Sequence, residues 1–229
     1  MTRSLLLIIL VIVSTLILFE TYAVDLWLQD LFFDFKQQVW LVDRQNAVLK
    51  FIFYDGIKIA YLIALLGLSI ALIFFRSHKT IKHYKVGLSI VLASMICVPT
   101  TIASLKAFTN TPCPKHLQHY GGEYPYVTVL TAYPESFKRE GSVRCFPAGH
   151  ASAGFALMSL YFLFNQPAIR KTALTSAIGL GWITGGYKML IGDHFISHTL
   201  MSMEIAWLII ILIKWAIDML FIHKKRGAV

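Results

Sequence analysis

Residues 57–75 read IKIAYLIALLGLSIALIFF, nineteen positions whose single charge is Lys58. At about 1.5 Å per residue, a helix of this length covers most of the ~30 Å hydrocarbon core of a bilayer. Outward from it, Leu5–Val24, Val86–Leu105, Ala173–Ile191 and Thr199–Ile222 are comparably apolar and long, and Ala151–Phe164 is shorter and needs its flank from Ala148. We therefore expect an all-α polytopic membrane protein, one domain over residues 1–229, with six transmembrane helices near 5–24, 57–75, 86–105, 148–164, 173–191 and 199–222. The composition agrees: 57% of residues are hydrophobic, 14% are charged and the mean hydropathy is +0.65. Soluble domains carry about 25% charged residues. A soluble enzyme, a disordered regulator and a disulfide-rich secreted module are excluded. In the first span, Arg3, an apolar run and Thr21-Tyr22-Ala23 also fit a secretory signal, but the run exceeds an ordinary h-region, so an uncleaved anchor is expected.

The net charge is +9. On so apolar a chain this reads as loop asymmetry, and no nucleic-acid partner is expected. One alternating set of segments holds Arg3, Arg76, Lys79, Lys82, Lys85, Arg170, Lys171, Lys224, Lys225 and Arg226 with no acid; the other, 25–56 and 106–149, holds eight basic and eight acidic residues. By the positive-inside rule both termini are cytoplasmic. The two long loops then face the periplasm or exterior of a bacterial inner (cytoplasmic) membrane. Asp25–Lys50 mixes polar residues with Trp27, Phe32, Phe33, Phe35 and Trp40 at helical spacing. It fits an amphipathic helix at the outer interface, or a loop packed on the bundle.

The residues capable of chemistry collect on that outer side. Lys106 ends the third span, Pro147-Ala148-Gly149-His150 opens the fourth, Lys188 ends the fifth, and His194 and His198 open the sixth. At i and i+4, His194 and His198 share a helix face. They fit a metal half-site or a nucleophile with an orienting partner. The metalloprotease form has Glu after the first His, and Phe195 stands there, so no metal and no other cofactor is expected. Backbone N–H groups at a helix start attract anions, and a glycine lets a phosphate approach them. With Lys106, Lys188 and Arg144 as cations, the set describes a phosphoryl site. No Walker loop is present, so a nucleotide is not expected.

These residues resemble the type 2 phosphatidic acid phosphatase superfamily, whose pattern is Lys-x6-Arg-Pro, Pro-Ser-Gly-His and Ser-Arg-x5-His-x3-Asp. Lys106 is followed after six residues by Cys113-Pro114; Pro147-Ala148-Gly149-His150 matches the second motif; Tyr187-Lys188, His194 and His198 match the third. The resemblance covers Lys106–His198. It implies that His194 attacks phosphorus to form a phosphohistidine, that His150 protonates the leaving oxygen, and that Lys106, Lys188 and the Gly149 N–H bind phosphoryl oxygens. Five positions depart: Cys113 for Arg, Ala148 for Ser, Tyr187 for Ser, Lys188 for Arg and His198 for Asp. Lys188 keeps the charge but loses the bidentate fork. Arg144 is the candidate for the missing cation. His198 accepts a hydrogen bond from His194 as a neutral ring, whereas Asp193, next to the nucleophile, points about 100° away if the segment is helical.

Cys113 and Cys145 lie in the same outer loop and Cys97 within a span. An oxidising compartment permits the outer pair to join, and closing about 30 residues is worth roughly 3–4 kcal/mol in the chain-entropy model. Two free thiols are the other possibility. The tyrosines at 120, 124, 126 and 133 fit a lid, a headgroup-contacting loop or an ordinary interfacial belt. Glu204 fits bundle structure, Lys214 and Asp218 an i,i+4 pair, and Gly179, Gly181, Gly185 and Gly186 close helix packing. The expected function is a membrane lipid phosphatase acting on a lipid phosphate or diphosphate at the outer leaflet. A phosphotransferase and a non-catalytic lipid-binding homologue are the alternatives.

Overall fold

The computed structural model describes residues 2–109, 111–138, 141 and 143–226; Arg139 and Glu140, counted in the outer-loop charge, lie outside them. The chain is mostly helical. Its helices are α1 (Thr2–Thr21), α2 (Val24–Asp30), α3 (Ala47–Lys50), α4 (Gly56–Phe74), α5 (Lys79–Thr109), α6 (Gly149–Ala156), α7 (Pro167–Leu190) and α8 (Ile196–Arg226). A π-turn over Phe51–Asp55 joins α3 to α4. Among the described residues, four stretches are long and apolar enough to cross a membrane: Arg3–Thr21, Ala47–Phe74, the stretch beginning with α5, and Ile196–Phe221. They mark the chain as a membrane protein. α6, continued by 3-10 turns over Leu157–Phe162, and α7 lie at the places expected for the fourth and fifth spans.

α6 sits at the centre, packed against α5, α7 and α8, with α1 on the outer flank of α8 and α4 against α5. The core among them is Val98, Ile102, Ala151, Phe155, Ala177, Ala206 and Ile210 with their neighbours. Small residues set its spacing. A Cβ on Gly154 would lie 2.6 Å from the Gly181 nitrogen, one on Gly181 2.2 Å from the Phe155 ring, and one on Gly185 2.3 Å from Thr199. Gly181 and Gly185 thus serve close packing as expected, while Gly179 and Gly186 face open space. Glu204 accepts from Thr15 Oγ1 at 2.8 Å and ties α8 to α1, and Lys214 pairs with Asp218.

Pro99 interrupts the ladder of α5, because proline has no N–H to give the carbonyl four residues back. That carbonyl, of Met95, accepts instead from the Tyr61 hydroxyl at 2.6 Å, which fastens α4 to α5. None of the residues of α4 is fully buried, and Ile59, Ile63 and Leu66 face outward.

Residues 25–50 correct the expectation of one interfacial amphipathic helix. Helix stops at Asp30, and the chain turns into a hairpin, β1 (Phe33–Asp34) paired antiparallel with β2 (Val39–Trp40). The local cause is the turn: Asp34 Oδ1 accepts from the N–H groups of Lys36 and Gln37, and Gln38 takes a positive φ of 56°. The tertiary cause is an aromatic cluster in which Phe33 and Trp40 meet Tyr120, with Leu117, Tyr124, Val143 and Phe195 buried beside them. Tyr120 and Tyr124 are therefore the core of a folded cap on the bundle, not an exposed lid. Cys113 and Cys145 are joined in a disulfide, with Cα atoms 5.2 Å apart, that closes the cap.

Tyr61→Phe is expected to lower stability by about 1–2 kcal/mol, since it leaves the Met95 carbonyl without a donor inside the bundle. Thermal unfolding in one detergent checks this, and an unchanged midpoint would mean that another group satisfies the carbonyl.

Candidate functional site

The site is built where α5, α6 and the α7–α8 turn meet beneath the cap. The turn comes first. α7 ends at Leu190, and Gly192 takes φ +73°, a region that glycine enters without steric cost. A Cβ there would also lie 2.3 Å from the Trp40 ring. The cap secures the last carbonyls of α7 and one of the turn: Gln29 Nε2 donates to Met189 O at 2.8 Å, Val42 N to Leu190 O at 3.4 Å, and Lys115 N to Gly192 O at 3.0 Å. Gln29 is 1% exposed, a buried amide that stabilises this turn.

His194 therefore stands ahead of α8, not on it, which corrects the expectation that it shares a helix face with His198. The two rings still meet, with Nδ1 atoms 3.5 Å apart. On its other side, His194 Nε2 lies 3.4 Å from His150 Nδ1. His194 and His198 are each 2% exposed. Burial, then the neighbouring His198, His150, Lys106 and Lys188, hold the His194 pKa well below the ordinary histidine range, so the ring is neutral. His150 is the second residue of α6, whose N-cap, Ala148, offers no side-chain acceptor. Gly149 faces Lys106: a Cβ there would lie 3.6 Å from its Nζ. The Tyr54 ring packs edge-on to His150 at 4.8 Å between centroids and lies under Lys188 Nζ at 4.6 Å.

Asp193 corrects a second expectation. Because residues 191–195 are not helical, its carboxylate turns toward the site. Oδ2 accepts from Lys188 Nζ at 3.0 Å, and Oδ1 from Lys115 Nζ at 2.8 Å and from Arg44. Burial pushes this carboxyl upward, but the Lys115 hydrogen bond and the charges of Lys188, Lys115 and Arg44 overcome it and hold the pKa at about 2. The structure thus brings together His150, His194, His198, Lys106, Lys188 and Gly149. Arg144 is exposed beside the disulfide. The sequence argument missed Lys115, Arg44, Tyr54 and Asp193. For Lys115 a signal existed, since it follows Cys113-Pro114 where the family pattern wants a cation. Cys113, His116 and Cys145 lie within reach of one ion, but the two sulfurs are bonded to each other.

A groove of about 390 Å³ opens from this site along the bundle between α4 and α5. Ile57, Tyr61, Leu62, Pro99 and Ala103 line it, and Lys106, Gly149 and His150 stand at its end.

Asp25 secures the start of α8. It accepts from Ser197 N at 3.0 Å and from Ser197 Oγ, which fixes the residue beside His198. Burial outweighs these bonds and raises its pKa from 3.8 to about 6. A raised carboxyl pKa means that the folded state holds the proton more tightly. The stabilisation is full below pH 3.8 and is lost as pH rises through about 6, roughly 3 kcal/mol in all. Asp25→Asn is expected to remove this slope. Unfolding midpoints of both proteins between pH 4 and 7 check it, and parallel slopes would refute it.

No curated protein and no solved structure matches the chain. The family model of the PAP2 superfamily matches residues 83–222, from the first turns of α5 to the end of α8, and so spans every histidine of the site together with Lys106, Lys115 and Lys188. Members of that family act on phosphate esters as phosphatases and phosphotransferases, and this chain belongs to the PAP2, or type 2 phosphatidic acid phosphatase, superfamily.

Proposed function

We propose that the protein is an integral membrane lipid phosphatase that removes phosphate from a lipid phosphate or diphosphate at the outer leaflet through a phosphohistidine. The observation that carries the lipid half is the apolar groove between α4 and α5 that ends on Lys106 and His150. A soluble ester has no use for such a groove, whereas an acyl or prenyl chain fills it while its headgroup meets the cations.

The phosphoryl group enters between His150 and His194, whose facing ring nitrogens lie 3.4 Å apart. Lys106, Lys188 and the N–H groups at the start of α6 take its oxygens, in a site where such donors act at low dielectric. His194 Nε2 attacks phosphorus, the N–P bond forms, and the P–O bond to the lipid breaks as His150, which takes up a second proton beside the bound phosphate anion, gives that proton to the leaving oxygen and returns to the neutral ring. Water then attacks phosphorus, His150 accepts its proton, and phosphate leaves. Transfer to a second lipid or sugar differs only in replacing water. Lys115 supplies the cation that Cys113 lacks: it stands two residues further on and meets Lys188 across Asp193.

Purified wild type is expected to release phosphate from at least one of lipid A, a polyprenyl diphosphate and phosphatidylglycerol phosphate, and His194→Ala to lose at least about a thousandfold in kcat. Release by neither protein would favour the non-catalytic reading. Activity is expected to survive excess chelator; complete loss would favour a metal on the histidines. Lys115→Ala should lower kcat/KM by about tenfold or more, and by more than Arg144→Ala. The reverse order would return the role to Arg144.

A further inference from the structure

At the end of the bundle away from the histidines lies a second recess, of about 500 Å³. Ser4 of α1, Phe162 and one face of α8 line it. On α8 the lining residues Trp207, Ile211, Lys214, Trp215 and Asp218 recur at i, i+4, i+7, i+8 and i+11, which places them on one side of the helix. Lys214 lies about 24 Å further along α8 than His198, at about 1.5 Å per residue, so this recess is no part of the phosphoryl site. Its cause is the short fourth helix. The 3-10 turns that continue α6 end at Phe162. A Cβ on Gly87 would lie 2.9 Å from Leu163 Cα, so the fourth helix stops level with Gly87, and α5 begins about 12 Å beyond that level, at Lys79. α8 also runs on, and α1 lies antiparallel beside it, with Thr15 on Glu204 at one level and Ser4 near Asp218 at the other.

The walls are apolar and the floor is charged. Phe162 stacks on Trp207 with ring centroids 5.9 Å apart, and Lys214 Nζ stands 5.9 Å from the Phe162 centroid. Lys214 Nζ donates to Asp218 Oδ2, and the two side chains stay 40% and 35% exposed. An ammonium has three donors and a carboxylate two acceptor oxygens. Among the described residues this one bond is all that either side chain makes, so donors on Lys214 and an oxygen on Asp218 open on the recess. Charge of this kind is costly beside hydrocarbon unless a polar partner completes it. The lining carries one positive and one negative charge. An anion alone would be repelled by Asp218, and a cation alone by Lys214. A group that carries both signs side by side and an apolar tail answers every wall. Tryptophans such as Trp207 and Trp215 suit the headgroup level of a bilayer, and the volume is that of a small-molecule site.

We propose that this recess binds a zwitterionic phospholipid whose headgroup ends in a primary amine, with its phosphate on Lys214, its ammonium on Asp218 and an acyl chain against Phe162, Trp207 and Ile211. The amine is specified because Asp218 accepts hydrogen bonds, and a quaternary choline has no N–H to give. The lipid fills the space that the short fourth helix leaves and joins the ends of α1 and α8. It is a bound component of the bundle and not a substrate. The proposal stands apart from the phosphatase reading, since none of its residues lies near His150 or His194.

Two measurements test it. The first is native mass spectrometry of the purified full chain with phosphatidylethanolamine, phosphatidylcholine and phosphatidylglycerol of identical chains. Phosphatidylethanolamine is expected to be retained about fivefold or more over each of the others, and Asp218→Asn to bring it down to the level of phosphatidylcholine. Lys214→Gln should lower the retention of phosphatidylethanolamine by a similar factor. Equal retention of the three lipids, preference for phosphatidylglycerol, or an unchanged Asp218→Asn would each overturn the proposal. The second uses the unaltered protein, so a variant that fails to fold does not decide the matter. Phosphatidylethanolamine with a photoreactive diazirine near its glycerol is expected to label the peptides that hold Phe162 and Trp207–Asp218. Labelling confined to the groove between α4 and α5 would assign the lipid to the substrate path. Even labelling of every outward-facing helix would make it surrounding bilayer only. Either result would sink the proposal, whether or not any lipid phosphate is hydrolysed.

Discussion

His194 is a buried imidazole in a field of positive charge, and the rest of the site is arranged around what that requires. Burial and the neighbouring cations keep the ring neutral, which is the state in which one nitrogen has a lone pair. A neutral ring does not, however, offer a chosen nitrogen unless its other nitrogen is engaged. His198 Nδ1 lies 3.5 Å from one of its nitrogens, Nδ1, and His150 Nδ1 lies 3.4 Å from the other, Nε2. Asp193 keeps the local charge from becoming prohibitive: one carboxylate answers Lys188, Lys115 and Arg44, and those cations in turn keep it ionised.

The cap outside the bundle is what holds this arrangement in register. At the turn that carries His194 the cap adds donors to three carbonyls: Val42 to Leu190, Lys115 to Gly192, and Gln29 to Met189, which also accepts from Gly192 N. Asp25 does the corresponding work at the start of α8 with the N–H and hydroxyl of Ser197. The hairpin presses Trp40 over Gly192, so the turn has both a conformational and a packing reason to be glycine. A segment that composition suggested for the bilayer interface thus acts as the roof of the site. Of its aromatic residues, Phe33 and Trp40 pack on each other and on Tyr120, while Trp27 and Phe35 stay exposed.

Within the bundle, the groove between α4 and α5 follows from two small facts of chain chemistry. Pro99 removes a donor from α5, and Tyr61 of α4 replaces it, which fastens the two helices by a hydrogen bond. No residue of α4 is fully buried, and beside the cations an apolar opening remains between it and α5.

By itself, the sequence determined the membrane class, the approximate places of the helices, and the gathering of Lys106, Gly149, His150, Lys188, His194 and His198 on one side. Hydropathy and motif spacing are one-dimensional quantities, and these features depend on little else. The pairing of Cys113 with Cys145 was legible for the same reason, as the only two thiols in one loop. The orientation of Asp193, the hairpin in place of a helix, and the parts taken by Lys115, Arg44, Gln29 and Tyr54 were decided only by the tertiary structure. Each depends on a partner far off in the chain: Asp193 turns inward because cations from residues 44 and 115 arrive beside it, and Phe33 and Trp40 leave helical geometry because Tyr120 offers them a surface to bury against. Local pattern fixes where a helix runs, but the partners of a buried polar group are fixed by whatever the fold brings to it.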